Sequence, residues 1–302
     1  MSKIVFGPIS SRRFGLSLGI DLSPSQKQCN FDCVYCELKA AKPVEKSVLY
    51  PSVDEVLAEV LNAMESGVEF DFLTLTANGE PSLYPDLALL IQELNAIKKD
   101  KKLLILSNGS AVLNSQSFNA LLDIDVVKFS LDSVIEKTFY RIDRALKSIK
   151  IDLLLEKMIK FSQKFKGDLI IEVLIVQGLN DNEEEMLALN QAFKKIKPLR
   201  VDFSTIDRPP AYPVKAISNQ RLIELSSCID SACVVVAKHF YNQTKFDFSE
   251  NELLKMLKLR AQSEFDVENT FSPKSKERLK KLLLESKIQE LNLLGVKFYK
   301  TI

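Results

Sequence analysis

The chain has 302 residues, 46% hydrophobic and 27% charged, enough to bury a substantial core in one large domain or a domain with an appendage. Forty-one lysines and arginines against 40 aspartates and glutamates leave a formal net charge of +1. That excludes a bulk field pulling the molecule toward nucleic acid or membrane, so any such attraction is local. Residues 1–18 carry Arg12 and Arg13 but no long apolar stretch. No window reaches the ~18 apolar residues of a membrane span, and the cytoplasm is the expected location.

In chain order, short apolar runs rich in β-branched residues alternate with segments of helical period up to about residue 213. The expected strands are Leu18–Leu22, Phe70–Thr76, Leu103–Leu106, Val126–Leu131, Leu169–Val176 and Val201–Ile206. Expected helices cover Val53–Glu65, Tyr84–Lys98, Ser115–Leu122, a long region Val134–Phe165, and Asn182–Lys195. Ser52 with Glu55 approximates a capping box at the first. The βα alternation predicts parallel strands with helical crossovers, as in a partial (β/α)6 TIM-like barrel or a doubly wound sheet, with the site at the strands' carboxyl ends.

Polar and glycine-bearing sequences fall at those ends. They are Ser23–Cys36, Asn78-Gly79-Glu80-Pro81, Ser107-Asn108-Gly109, Ser130 with Asp132, Gln177-Gly178-Leu179-Asn180, and Asp207-Arg208-Pro209-Pro210. After Pro213 the alternation is expected to stop, giving three segments: a barrel over 1–213, a helical connection over 214–247 and a small α/β unit over 248–302. In the last, Ser249 with Glu252 caps a helix, a shorter helix lies near Glu264–Phe271, and Ser272-Pro273 opens a periodic helix, Lys274–Lys287. Gly295 then interrupts an apolar ribbon, Leu291–Tyr299, which completes the outline of a winged helix.

Three of the five cysteines, Cys29, Cys33 and Cys36, lie within eight residues, too close to pair with one another as disulfides. Such a group suggests metal. A closed zinc site needs four ligands, and no fourth cysteine or histidine is nearby. A cubane held by three thiolates instead leaves one iron open for a chelating substrate.

Cys29-x3-Cys33-x2-Cys36 with Tyr35 resembles the signature of the radical S-adenosylmethionine (SAM) superfamily. Further similarity lies in Phe6-Gly7-Pro8-x-Ser10-Ser11-Arg12-Arg13-Phe14-Gly15-x-Ser17-Leu18-Gly19, in Asn78–Leu83 and in Asp207-Arg208-Pro209-Pro210. These resemble the group related to the wyosine-tRNA synthesis enzymes. The resemblance implies a [4Fe-4S] cluster on Cys29, Cys33 and Cys36, chelation of its open iron by SAM, reduction by an external electron donor, and a 5'-deoxyadenosyl radical that abstracts hydrogen. Asn78-Gly79-Glu80 is similar to the family's GGE motif, with asparagine for the first glycine, and by that likeness meets the methionyl amino group. Ser107, Asn108, Ser130 and Asp132 match positions near carboxylate and ribose, and Tyr35 one beside the adenine. The substrate could be RNA, a protein or a small molecule, and the resemblance points to tRNA. Residues 1–28 contain no cysteine to hold the second cluster expected for wyosine chemistry.

Arg12, Arg13 and Arg208 could approach the barrel mouth and fork onto carboxylate or phosphate, and Tyr140-Arg141-x-Asp143-Arg144 carries the same alternatives. Cys228 and Cys233 are expected in the core, and the single histidine, His239, beside apolar Val234–Val236, in a structural rather than catalytic role. The helix from Lys274 is basic (Lys274, Lys276, Arg278, Lys280, Lys281, Lys287) but broken by Glu277 and Glu285. It is either a solvated face, with Leu279, Leu282, Leu283 and Ile288 inward, or a phosphate contact. Two rival readings remain: an iron-sulfur redox sensor acting through the winged helix, and a zinc-stabilised scaffold.

Overall fold

The computed structural model describes residues 4–11, 14–236, 245–293 and 295–302. Arg12, Arg13 and His239 lie outside these. Among the described residues one sheet contains, in spatial order, β1 (Val5–Ser11), β2 (Gly15–Asp21), β3 (Phe72–Thr76), β4 (Lys102–Ser107), β5 (Val126–Ser130), β6 (Asp168–Ile175), β7 (Arg200–Thr205) and β8 (Val234–Val236). β1 and β2 form an antiparallel hairpin, and every later neighbour is parallel. The sheet is open, since β1 and β8 stand at its two ends. Crossovers are made by α1 (Val53–Glu65), α2 (Leu87–Ile97), α3 (Ser115–Ala120), α4 (Glu136–Ile142) with α5 (Ile151–Lys164), α6 (Glu183–Ile196) and α7 (Asn219–Ser226).

The two-residue period of the strands divides their side chains. Leu73, Leu75, Leu103, Ile105, Val127, Phe129, Val201 and Phe203 turn toward the helices and are buried with Val56, Leu90, Leu154, Phe161 and Phe193. Each such side chain is worth about 1.5–3 kcal/mol of burial. The alternate residues Ser17, Thr74, Thr76, Lys128, Glu172 and Ser204 face a cavity. Leu104, Val126 and Ile170, with Phe14 and Phe72, form a small apolar cluster at the strands' amino-terminal end.

The six expected parallel strands are β2–β7. Two more, β1 and β8, flank them, and residues 214–236 do not form a purely helical connection: α7 is followed by three valines that pair with β7. The Val134–Phe165 region is two helices, because Arg144 adopts φ 46° and the peptide after Ala145 bonds the cysteine loop, Leu146 N donating to Asn30 O at 3.0 Å. Cys228 packs against the core, but Cys233 is exposed, correcting its expected burial. It sits just before the three-residue strand that ends the sheet.

The remaining residues form α8 (Glu250–Leu259), β9 (Gln262–Ser263), α9 (Glu264–Thr270), α10 (Pro273–Leu284), β10 (Ile288–Leu293) and β11 (Val296–Thr301), with the strands in the order β10-β11-β9. Complete capping boxes at Ser52/Glu55, Ser249/Glu252 and Ser263/Asp266 begin α1, α8 and α9. This unit has its own core, including Phe248, Leu253, Leu257, Phe271, Leu279 and Leu282. It is anchored on the sheet, Lys255 Nζ donating to Val5 O at 3.0 Å and Lys258 Nζ to Pro24 O at 3.1 Å.

Candidate active site

The cysteine loop leaves the carboxyl end of β2 and is fastened to the neighbouring strand ends. Asp21, 1% exposed, accepts from Ser23 N at 3.0 Å and Asn78 N at 2.7 Å, so one buried carboxylate joins the β2 and β3 exits. Burial pushes the Asp21 pKa up against those two bonds. Gln28, immediately before Cys29, forms a parallel bridge with Gly79: Gln28 N donates to Asn78 O and Glu80 N to Gln28 O, both at 2.9 Å. The Gln28 side chain holds Val48 and Leu49 in turn.

Glu80, 3% exposed, extends the frame to β4. One oxygen accepts from Ser82 N at 3.0 Å and the Ser107 hydroxyl at 2.8 Å, the other from Asn108 N at 2.8 Å. Burial pushes its carboxyl up, opposed by these bonds. Asn108 donates to Asn30 Oδ1 at 2.7 Å and reaches the Cys29 sulfur at 3.8 Å, while Asn30 donates to the Ser110 hydroxyl at 2.8 Å.

Donors surround the sulfurs. Phe31 N lies 3.4 Å from Cys29 Sγ, and Lys27 Nζ 3.4 Å from Cys36 Sγ and 3.8 Å from Asp32. Burial opposes the Lys27 charge, but Cys36, Cys29 and Asp32 outweigh it and hold its pKa above the ordinary value. The Cys33 thiol donates to Asp143 at 3.4 Å. Burial pushes the Cys29 thiol up to about 12 and Cys33 well above its usual range. Among the described residues no three Cys, His, Asp or Glu side chains converge on one ion position. A cubane makes no such demand, since each thiolate takes a different iron. Three thiols on one loop, with N–H donors aimed at two of the sulfurs, therefore fit a [4Fe-4S] cluster.

The expected cofactor residues divide by position. Tyr35 and Cys36 face the cavity, of about 450 Å³, whose wall also includes Thr76, Ala77, Leu106, Leu174 and Ile206. The Tyr35 hydroxyl donates to Asp132, whose other oxygen accepts from Leu174 N at 2.7 Å. Asp132, 1% exposed, lies behind the tyrosine. Burial raises the pKa of both Asp132 and its neighbour Asp143. Ser130 ends β5 half-buried, opposite Glu172. At the cavity floor Lys128 pairs with Glu172 at 2.8 Å and Asp202 at 3.5 Å, and Arg200 with Asp202 at 2.9 Å, giving a floor with no net charge.

Arg208 lines the cavity, but its guanidinium is already occupied. It donates to Ala261 O at 2.9 Å and pairs with Asp266 at 3.4 Å, Asp207 at 3.5 Å and Glu37 at 3.9 Å. Leu259 and Arg260, at the end of α8, complete the wall. Lys27 and Asn30 were not singled out as site residues by the sequence, and Asp143 was named only within the Tyr140–Arg144 motif, with no link to the cysteines. No local pattern marks the first two, and Asp143 meets Cys33 across 110 positions.

The chain is similar to known proteins over most of its length. The UPF0026 protein of Helicobacter pylori strain J99 is 40% identical over 299 residues, 98% of this chain and 97% of its own. The fold is shared with SuiB of Streptococcus suis bound to precursor peptide SuiA (TM-score 0.58, 16% identity, 76% of this chain and 49% of that one). It is also shared with TYW1 with a lysine-pyruvate adduct bound (TM-score 0.51, 14% identity, 94% and 80%). Residues 23–189, which contain the cysteine loop and the Glu80 frame, match the radical SAM superfamily, and the chain belongs to it.

Proposed function

We propose that the chain cleaves SAM reductively and abstracts hydrogen from a substrate held in the barrel cavity. The observation that carries this reading is the Gln28–Gly79 bridge, which locks the GGE-like segment to the residue before the first cysteine. When bound, the cluster held by Cys29, Cys33 and Cys36 supplies the electron that splits the sulfonium into methionine and a 5'-deoxyadenosyl radical. The chain's own residues bind, orient and exclude water. The backbones of Asn78 and Glu80 are bonded to Asp21 and Gln28 and so hold Gly79 between them beside the cysteine loop, Glu80 fixes Ser107 and Asn108 there, and Tyr35 is the cavity-facing contact for the adenosyl group. Asp132 acts through Tyr35, and Ser130 stands at the same rim.

We assign residues 248–302 to a winged-helix-like domain that walls the cavity, joined through 214–247 to the barrel of 1–213. Leu259, Arg260 and the Arg208–Ala261 bond support the wall. Phosphate reading by α10 has less support, because Lys276, Arg278 and Lys281 pair with Glu268, Asp247 and Glu250. A cavity of about 450 Å³ suits a small molecule or one protruding group. tRNA would enter by extending a single base.

Reconstituted protein, reduced anaerobically with SAM, is expected to release 5'-deoxyadenosine, and the substrate fraction to accelerate that release. An intact cluster giving no 5'-deoxyadenosine, with DNA affinity that follows its oxidation state, would establish the redox sensor instead.

A further inference from the structure

Two loops flank the cysteine segment on its outer side, and both are bonded to its backbone. In the first, 38–50, Val44 N donates to Cys29 O at 2.8 Å. In the second, 141–147, Leu146 N donates to Asn30 O at 3.0 Å, and the Ile142 carbonyl accepts from Val34 N at 2.8 Å. The first exposes Lys39, Lys42 and Lys46, and the second exposes Arg141, Arg144 and Lys147. Within these two segments the exposed carboxylate is Glu45, and Asp143 is buried at 4% exposure. In a chain of net charge +1 this is a concentrated positive face. Among its cations stand Val48 and Leu49, 63% and 50% exposed, at the residues that Gln28 holds.

We propose that this face docks an acidic one-electron carrier protein, a reduced flavin or iron-sulfur protein. The inference rests on the radical SAM reading and adds the surface through which the electron arrives. In the step one electron leaves the carrier, oxidising it by one equivalent, and enters the cluster, reducing it by one; no bond is made or broken and no proton is required. Charge complementarity selects the partner: an excess of exposed cations with exposed apolar residues beside them suits a brief, electrostatically steered encounter with an oppositely charged protein. The backbone bonds hold both loops against Cys29, Asn30 and Val34. None of the six cations lines the substrate cavity, whose wall nearby is Glu37, Leu38, Arg208 and Leu259. That favours a carrier over an RNA substrate at this face.

The test uses the reconstituted full chain and follows cluster reduction in a stopped-flow instrument by the loss of visible absorbance. The probes are reduced flavodoxin and, separately, dithionite. Two variants are compared with wild type: Lys39→Gln with Lys42→Gln and Lys46→Gln, and Arg141→Gln with Lys147→Gln. Arg144 is kept because it stacks on Tyr212 and pairs with Asp32. Flavodoxin-driven reduction is expected to fall at least tenfold at low salt, with the wild-type rate approaching the variants' as salt rises. Dithionite-driven reduction and iron content are expected to stay unchanged. An unchanged flavodoxin rate overturns the proposal, as does a parallel fall with both reductants, which would make the loops structural. Loss of tRNA affinity with an unchanged flavodoxin rate would assign the face to RNA. If wild type is reduced by dithionite yet yields no 5'-deoxyadenosine from SAM, the radical SAM reading fails instead.

Discussion

Gly79 lies so close to Gln28 that a Cβ on it would stand 1.9 Å from the Gln28 carbonyl oxygen, at a φ of 138° that side chains rarely adopt. The glycine is therefore what allows the GGE-like segment to pair with the cysteine loop. Gly79→Ala must open the bridge or strain it, at a cost of about 3 kcal/mol from backbone strain and overpacking together. The expected result is lower iron retention after reconstitution and loss of 5'-deoxyadenosine formation. Full iron content with wild-type turnover would show that the bridge is dispensable.

Much of this arrangement is legible before folding. β3–β7 are readable because runs such as Leu103–Leu106 and Val126–Leu131 are apolar or β-branched at the helix-facing positions and end in polar or glycine signals. The cysteine spacing identifies the family. β1 is not readable, since Gly7-Pro8 interrupts its pattern and its strand character comes from pairing with β2. β8 is three residues long and acquires its state from β7. Arg208 reads as a substrate contact because its partner Asp266 lies 58 positions away in another unit, and only the folded chain shows the charge already neutralised.

Lys27 is a second-layer charge of the same kind, 3.4 Å from Cys36 Sγ with its side chain 7% exposed. An ammonium beside a cluster sulfur favours the added electron. Lys27→Met is expected to lower the cluster's reduction potential, and Lys27→Arg to restore most of the shift. About 59 mV corresponds to a tenfold change for one electron, and a shift of that order is expected in a titration followed by electron paramagnetic resonance. Equal potentials in all three proteins would remove Lys27 from the tuning of the site.

Arg208 is 6% exposed and serves Glu37, Asp207 and Asp266 together. Arg208→Met leaves those carboxylates facing one another in a poorly hydrated wall. Removing one partner of a buried ion pair costs about 3–5 kcal/mol. Thermal denaturation is expected to show a lower midpoint, and limited proteolysis earlier cleavage between the barrel and α8. A midpoint within a degree of wild type would mean that water replaces the guanidinium.

Lys255 gives the contact between α8 and β1 a pH dependence. Its ammonium donates to Val5 O and lies 5.3 Å from the Phe6 ring centre. Burial pushes its pKa from 10.5 down to about 8, against the opposing pull of Asp21 and Glu59 and with a small further lowering from Lys258. Between those two values the unfolded chain binds more protons at this residue than the folded one, so stability rises with pH across the window. Below about pH 8 the lysine is charged in both states and the desolvation cost is fully present. Lys255→Met removes the titration. The wild-type melting midpoint, measured relative to that variant, is therefore expected to climb as the buffer is taken from pH 8 to pH 10. A difference that stays flat, or narrows, would show that water reaches the ammonium and that folding does not lower its pKa.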